Sequence, residues 1–353
     1  MAIKVWGDLN AVLEVLTISD ISIAIALFKM LGLWHNKDVL GQLVVSMSED
    51  WRSSKTEKEF QVMWQNARMS RLMSITIIIL AEGTIMAHFT MALYFTMLES
   101  KQYSLTKLNA TTRFRPLYMS AEFFYDIQSS PNYEIIWLFQ FLSTMFAASA
   151  FSSVDAFFAV LVLHLCGQLN NLKEKLKNFP KRHEEGEIQS FLHMFSDIVV
   201  RHEALNKFAN TIEESFNIVF LVQMVASSLM LILQGYQIVI LATSEGSIPF
   251  FELIFMAYFT CCFTFSLFVY CYVAEVLRTE SMEIGNAAYQ CNWYTLPPSE
   301  AKCLTLIMIR AKQPFEITAG KFAAFSLELY CRILKSSGGY LSMLLAVKDR
   351  LAV

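Results

Sequence analysis

A chain of 353 residues is 55% hydrophobic and 17% charged, where soluble proteins run at about 45–50% apolar and 25% charged. A net charge of -3 excludes the basic excess of a nucleic-acid-binding protein. The length would suit two soluble domains, but the apolar residues fall in long blocks that exclude that arrangement.

In chain order, 9–33 reads as a first helical span carrying Glu14, Asp20 and Lys29. Block 72–98 holds only Glu82 and His88, 135–166 only Asp155 and His164, 216–242 no charged side chain, and 250–274 only Glu252. Each of these four exceeds the roughly 20 residues a helix needs to cross the hydrocarbon core. One such block could be a buried helix of a large soluble protein; four in one chain argue for a membrane. The last span, 321–347, carries Lys321, Glu328, Arg332 and Lys335 in its first half. A helix of that length runs about 40 Å against a core of about 30 Å. Its charged turns therefore lie outside the bilayer while 336–347 completes the crossing. The expected fold class is all-α, a polytopic membrane helix bundle with six transmembrane helices.

The segments between spans set orientation. Loops 34–71, 167–212 and 278–320 together carry 17 Lys/Arg, and the alternate segments carry 7. The positive-inside rule puts the first set in the cytoplasm. The sequon Asn109-Ala-Thr111 falls on 99–134, the side assigned outside, where glycosylation of Asn109 is expected. None of the seven cysteines lies on an outside segment, so no extracellular disulfide framework is expected. No cleavable signal sequence is visible, since Lys4, Asp8 and Glu14 interrupt the start. The seven prolines all fall between spans or at their edges, unlike the proline-broken helices of many transporters and rhodopsin-like receptors.

Enzyme chemistry is hard to place, and no cofactor is expected. There is no P-loop, G-x-S-x-G or H-E-x-x-H. His183, His193 and His202 share the 167–212 segment, but His193 and His202 are nine apart, not the i, i+4 of a helical metal pair. They read as solvated surface histidines. Glu82 and His88 lie six apart on different faces of one helix. Asp155 leaves two readings open, because intramembrane carboxylates are costly and face a bundle interior or water. Either it hydrogen-bonds Ser152, Ser153 or a neighbouring helix, or it serves a proton path.

The C-terminal third reads Tyr270-Cys-Tyr-Val-Ala-Glu275, Asn286-Ala-Ala-Tyr289, Trp293-Tyr-Thr-Leu-Pro-Pro298, Leu306-Ile-Met-Ile-Arg-Ala311, Thr318-Ala-Gly-Lys-Phe322 and Ser326-Leu-Glu328. In this order and spacing the run resembles the C-terminal signature of insect odorant receptors. Leu163-His-Leu-Cys-Gly-Gln168 resembles the end of that family's fourth span. The family has seven spans, and 9–33, followed by Trp34-His-Asn-Lys37 and Glu49-Asp-Trp51, resembles its second, so the resemblance implies that this sequence lacks the family's first. Gly338-Gly339 before Tyr340 departs from the family's hydroxyl residue there, and glycine costs a helix up to about 1 kcal/mol against alanine.

The resemblance implies an odorant-gated cation channel subunit at the plasma membrane of a sensory neuron dendrite. Its implied partners are an odorant coreceptor, in a heterotetramer, and a small volatile apolar ligand. Residues 1–277 would form the ligand-binding bundle, 278–335 a cytoplasmic anchor, and 336–353 the pore-lining end. Within the anchor, Ser299 to Lys312 has Leu304, Ile307, Met308 and Ala311 at helical spacing after Pro298, a pattern any amphipathic helix would share. The family's pocket lies in the outer half of the bundle. That implies Thr90, Leu93, Tyr94 and Met97 on one helix, Trp137, Phe141, Thr144 and Met145 on the next, and Phe255, Tyr258 and Phe259 on a third. Anchoring on Tyr340 places Met343 and Val347 at the family's hydrophobic gate and Ala346 where the coreceptor has glutamine. Each of these side chains also suits ordinary helix packing. A gustatory-type receptor channel and a proton-coupled transporter using Asp155 are the alternatives.

Overall fold

A computed structural model of the protein describes residues 21–105, 117–119, 127–179, 188–243 and 250–351. The charge-poor blocks each fall within one of four long helices. These are α3 (Glu57–Leu105), α4 (Asn132–Lys177), α5 (Ile188–Thr243) and α6 (Phe250–Gln290), following the shorter α1 (Ile21–His35) and α2 (Lys37–Arg52). Beyond them come a single 3-10 turn at Trp293–Thr295, α7 (Pro298–Ala311), strands β1 (Thr318–Ala319) and β2 (Ala323–Ala324), and α8 (Leu327–Leu351). The four long helices are long and apolar enough to cross a membrane.

Local chemistry sets the helix ends. Thr56 and Glu59 cap α3 reciprocally: the Thr56 N–H donates to Glu59 Oε2 at 2.8 Å, and the Glu59 N–H donates to Thr56 Oγ1 at 3.3 Å. This satisfies two of the orphan donors of the first turn. Helix α4 ends in Lys175 and Lys177, which complement the helix dipole, and Pro298 occupies the first turn of α7. Segments 34–71 and 167–212, expected as loops, are for the most part helix: α2, the start of α3, the end of α4 and the start of α5. At 46 to 56 residues, α4 and α5 run roughly 70–85 Å, far beyond the bilayer. The bundle therefore continues past the membrane as a packed polar-ended stalk.

Helix α4 is the hub, packing against α1, α3, α5 and α6. Phe158, Ala159, Leu161, Val162, Leu165 and Leu169 are wholly buried along it. Phe216 and Phe220 of α5 and Leu267, Tyr270 and Val273 of α6 close the same core. The outward faces carry exposed Ile79, Phe139, Phe146, Ile218 and Val225, while Gln223, Ser227 and Gln234 are buried inside. Large apolar side chains outside and amides inside is the distribution a hydrocarbon solvent selects. All seven cysteines are free.

The last span begins later than its hydropathy suggests. Residues 318–324 form a two-stranded hairpin, Thr318 opposite Ala324, and only then does α8 start. Ser326 Oγ caps it by accepting from the Leu329 N–H at 3.1 Å. At the turn, Gly320 has φ +58° and Lys321 φ +63°. The Gly320 N–H donates to the Asn217 carbonyl of α5 at 2.8 Å. A Cβ at Gly320 would come within 2.7 Å of Leu221 Cδ2. Gly320→Val therefore combines a disfavoured backbone with overpacking, and is expected to cost about 1–3 kcal/mol. A lowered unfolding temperature of the detergent-solubilised protein is the measure; an unchanged one would show that the turn relaxes freely.

Candidate functional site

Three helices leave a cavity of about 110 Å³ between them, with a contribution from α1. Leu80, Ala81 and Thr84 of α3, Thr144, Ala147, Ala148 and Phe151 of α4, and Phe259, Cys262, Phe263 and Ser266 of α6 line it, with Ser22 and Ile23 of α1. On α4 and α6 these positions recur every three to four residues, so one helical stripe from each faces the space.

The polar atoms here are few and mostly committed. Thr84 Oγ1 donates to the Leu80 carbonyl and Thr144 Oγ1 to the Phe141 carbonyl, both at 2.8 Å. Each hydroxyl has spent its donor and keeps acceptor capacity. Ser266 is buried and its hydroxyl has no partner among the described residues, so it offers both a donor and an acceptor. Apolar walls with one convergent polar group describe a small-molecule site.

Of the eleven residues expected from the sequence, Thr144 and Phe259 line this cavity. Trp137, Phe141 and Phe255 sit just beyond it in an aromatic cluster with Phe89, His88 and Tyr118. Ring centroids there lie 4.3 Å (Phe89–Phe141), 5.2 Å (Phe89–Trp137) and 5.3 Å (His88–Phe255) apart. Tyr258 donates its hydroxyl to the Leu80 carbonyl at 3.1 Å. Thr90, Tyr94 and Met97 are exposed, and Leu93 and Met145 half-buried. Ala147, Ala148, Phe151, Cys262 and Ser266 were not anticipated. Extending the Thr144 and Phe259 stripes by two turns would have found them.

Beside the cavity lies an ionic cluster. Lys29 Nζ lies 2.5 Å from Asp155 Oδ1 and donates to Tyr270 Oη at 3.0 Å. The Tyr270 hydroxyl donates to the same carboxylate oxygen. All three are buried to 1% exposure or less. Asp155 is thus held by neighbouring helices and not by Ser152, whose hydroxyl donates to the Ala148 carbonyl. Glu82 Oε1 accepts from Ser149 Oγ at 2.6 Å.

At the Lys/Arg-rich end, Asp50 of α2 joins α4 and α5. Its two oxygens meet Arg201 at 2.7 Å and His164 Nε2 at 3.0 Å. Burial pushes the Asp50 carboxyl up, but the His164 hydrogen bond and the Arg201 guanidinium outweigh it, and the net shift is below the ordinary 3.8. A depressed folded pKa means stability that is present above the unfolded value and lost as pH falls through the folded one. Asp50→Asn is expected to cost about 1–3 kcal/mol at neutral pH and to remove the part of the acid sensitivity that sets in below pH 3.8. Thermal unfolding of both proteins across pH 3–7 measures it; parallel curves would show that the carboxylate contributes nothing. A cleft of about 860 Å³ opens alongside, where Lys58 pairs with Glu174 and Lys175 with Glu59. His193 is exposed beside Asp197, as expected, but His202 is 7% exposed and so is not a solvated histidine. His183 and Asn109 lie outside the described residues. Among the described residues no three His, Cys, Asp or Glu side chains converge for a metal.

Along α8, Tyr340, Met343, Ala346 and Val347 are exposed on the isolated chain. Leu341 turns the other way, against Gly235 of α5. The helix runs unbroken through Gly338 and Gly339.

A family profile described as 7tm Odorant receptor matches residues 8–338. Odorant receptor 82a of Drosophila melanogaster is 26% identical over 234 residues, covering 66% of this chain and 58% of that protein. Odorant receptor 10 of Aedes albopictus is 26% identical over 219 residues, covering 62% and 57%. The odorant receptor coreceptor of Aedes aegypti is 25% identical over 150 residues, covering 42% and 30%. The chain thus spans rather more than half the length of the first two. The solved insect olfactory receptor OR5 from Machilis hrabei superposes with a TM-score of 0.76 at 16% identity, over 98% of this chain and 84% of that one. Its complex with eugenol gives 0.68 over 98% and 88%. A profile matched over nearly the whole chain, on a bundle of the same fold, makes this chain a member of the insect odorant receptor family.

Proposed function

We propose that the chain is an odorant-gated cation channel subunit, working with a coreceptor in a heterotetramer at the plasma membrane of a sensory neuron dendrite. The observation that carries this reading is the apolar cavity between the helices, with its free Ser266 hydroxyl. A space of that size is somewhat smaller than an apolar cavity of about 150 Å³, which takes benzene, so a small ring or short chain fits with a modest outward shift of the lining. Such a ligand is held by shape and dispersion with one oriented hydrogen bond.

The exposed stripe of Tyr340, Met343 and Val347 on α8 supports a role for that helix at a pore shared between subunits. Exposed Leu306 and Ile309 of α7 and Phe322 of the hairpin support subunit contacts through 278–335. The excess of Lys/Arg at that end supports a cytosolic side for it. A proton-coupled transporter fits less well, because Asp155 is sealed and paired with Lys29 and Tyr270.

Co-expression with an odorant coreceptor, followed by a panel of small volatile alcohols, phenols, ketones and esters, tests the reading. The expected result is ligand-evoked cation current at fixed voltage without a proton gradient, absent when the coreceptor is omitted. Current that needs a proton gradient would point to the transporter, and current without the coreceptor to a gustatory-type channel.

A further inference from the structure

We propose that Lys29 is a positioning residue that couples the cavity to the root of the last helix. This deepens the channel reading and rests on it for its physiological meaning. Phe151 faces two ways. It lines the cavity, and the Lys29 ammonium sits 3.3 Å from its ring centroid. The same ammonium binds Asp155 of α4 and Tyr270 of α6. The Tyr270 ring in turn packs against Phe220 of α5 and Phe325, with centroids 4.9 and 6.1 Å apart. Phe325 is buried two residues before α8 begins. A contiguous set of contacts thus leads from the cavity wall to the hairpin that launches the helix carrying Met343 and Val347.

Packing alone does not require ions in this place. A buried ion pair is often matched or bettered by apolar side chains of similar volume. Intramembrane charges are accordingly rare and concentrate where a membrane protein works. This cluster is also incompletely satisfied, since Asp155 Oδ2 has no partner among the described residues. The ammonium's remaining face is taken by an aromatic ring, an attraction that depends on ring position. A ligand that displaces Phe151 changes the environment of Lys29 directly. The response of the charge is to re-partition its bonds between Asp155 and Tyr270, which moves α4 and α6 relative to each other.

Lys29→Met alone would leave Asp155 buried without a counter-ion, and loss of folding would say nothing. The informative variant is Lys29→Met/Asp155→Leu/Tyr270→Phe, which keeps volume and leaves no unpaired polar group. The reporter is Cys331, exposed on α8, read by site-resolved maleimide labelling of purified protein in lipid nanodiscs. Benzyl alcohol, hexan-1-ol and 2-heptanone are the probes, and the tightest binder is carried forward. In the unaltered protein, saturating probe should change the Cys331 labelling rate by about threefold or more. In the triple variant, the probe should still bind within about threefold of the original affinity, and the rate should not respond to it.

An equal response in both proteins overturns the coupling. So does the absence of any response in the unaltered protein. Loss of probe binding in the triple variant would make the cluster part of the binding site and would also overturn it. Currents recorded from the same chain with a coreceptor separate the two readings. A labelling response without current sinks the channel and leaves the coupling standing. Current with equal labelling responses sinks the coupling and leaves the channel.

Discussion

Ala148→Trp is expected to abolish ligand-evoked current while leaving surface protein near the normal level. Ala148 lines the cavity from α4, and an indole there occupies space comparable with the whole 110 Å³ void. The new side chain replaces ligand with protein, so burial is preserved and the fold need not collapse; overpacking costs of about 1–3 kcal/mol are the main penalty. A ligand displaced from such a site loses nearly all of its binding free energy. A loss of about 3 kcal/mol already shifts the dose–response curve more than a hundredfold. Phe259→Leu, which reshapes the wall, should reorder ligand preferences by about 1–3 kcal/mol between pairs of ligands. Met145→Leu lies off the lining and should leave the order unchanged. Dose–response series normalised to surface labelling check all three. A normal response from Ala148→Trp would show that ligands act somewhere other than this cavity.

Met343→Ser is expected to raise ligand-free current by about tenfold in the co-expressed channel. Met343 is 65% exposed on α8, with Val347 one turn on at 45%, so neither is held by packing within this chain. At i and i+4 they stack on one face. A ring of such side chains closes a pore by excluding water, and an ion does not cross a dry neck cheaply. A hydroxyl in place of the thioether wets the neck and lowers that barrier; tenfold corresponds to about 1.4 kcal/mol. Val347→Ser should act in the same direction. If both variants reach the surface, respond to ligand, and show unchanged basal current and permeability, the stripe faces lipid or another subunit instead of a lumen.

The sequence carried the spans because a bilayer imposes a one-dimensional signal: 216–242 without a charge can hardly be anything else. The ends of those helices were not legible, since past the headgroups the helices continue as amphipathic polar segments whose local pattern resembles a loop. The 318–324 hairpin stayed hidden for another reason. Its strands are only two residues each, too short to show a period, and only the tertiary contact of Gly320 with Asn217 and Leu221 distinguishes it from the first turn of a helix. For the candidate site, the cavity opens between three helices from which the sequence offered residues, but at another depth along them. Depth depends on where the His88, Phe89, Tyr118 and Trp137 rings stack, and no periodicity reports stacking. Asp155 stood out by itself as a carboxylate in an apolar block. Its partner Lys29 is 126 residues away, and the signature run that Tyr270 opens does not mark it as a carboxylate's partner.

Helix α5 holds the final segment at two places: the Asn217 carbonyl under Gly320 and the Gly235 surface under Leu341. The two attachment points lie eighteen residue steps apart on uninterrupted helix. One residue added or removed between them would turn the first point roughly 100° away from the second, and both could not be used at once. The stretch from 217 to 235 should therefore tolerate many changes of residue but almost none of length, and the same spacing should recur in any receptor that suspends its last helix in this way. A change of four residues, close to a whole turn, would restore the face but displace the second point by about 6 Å along the helix, so it would need a matching change of length in the last segment.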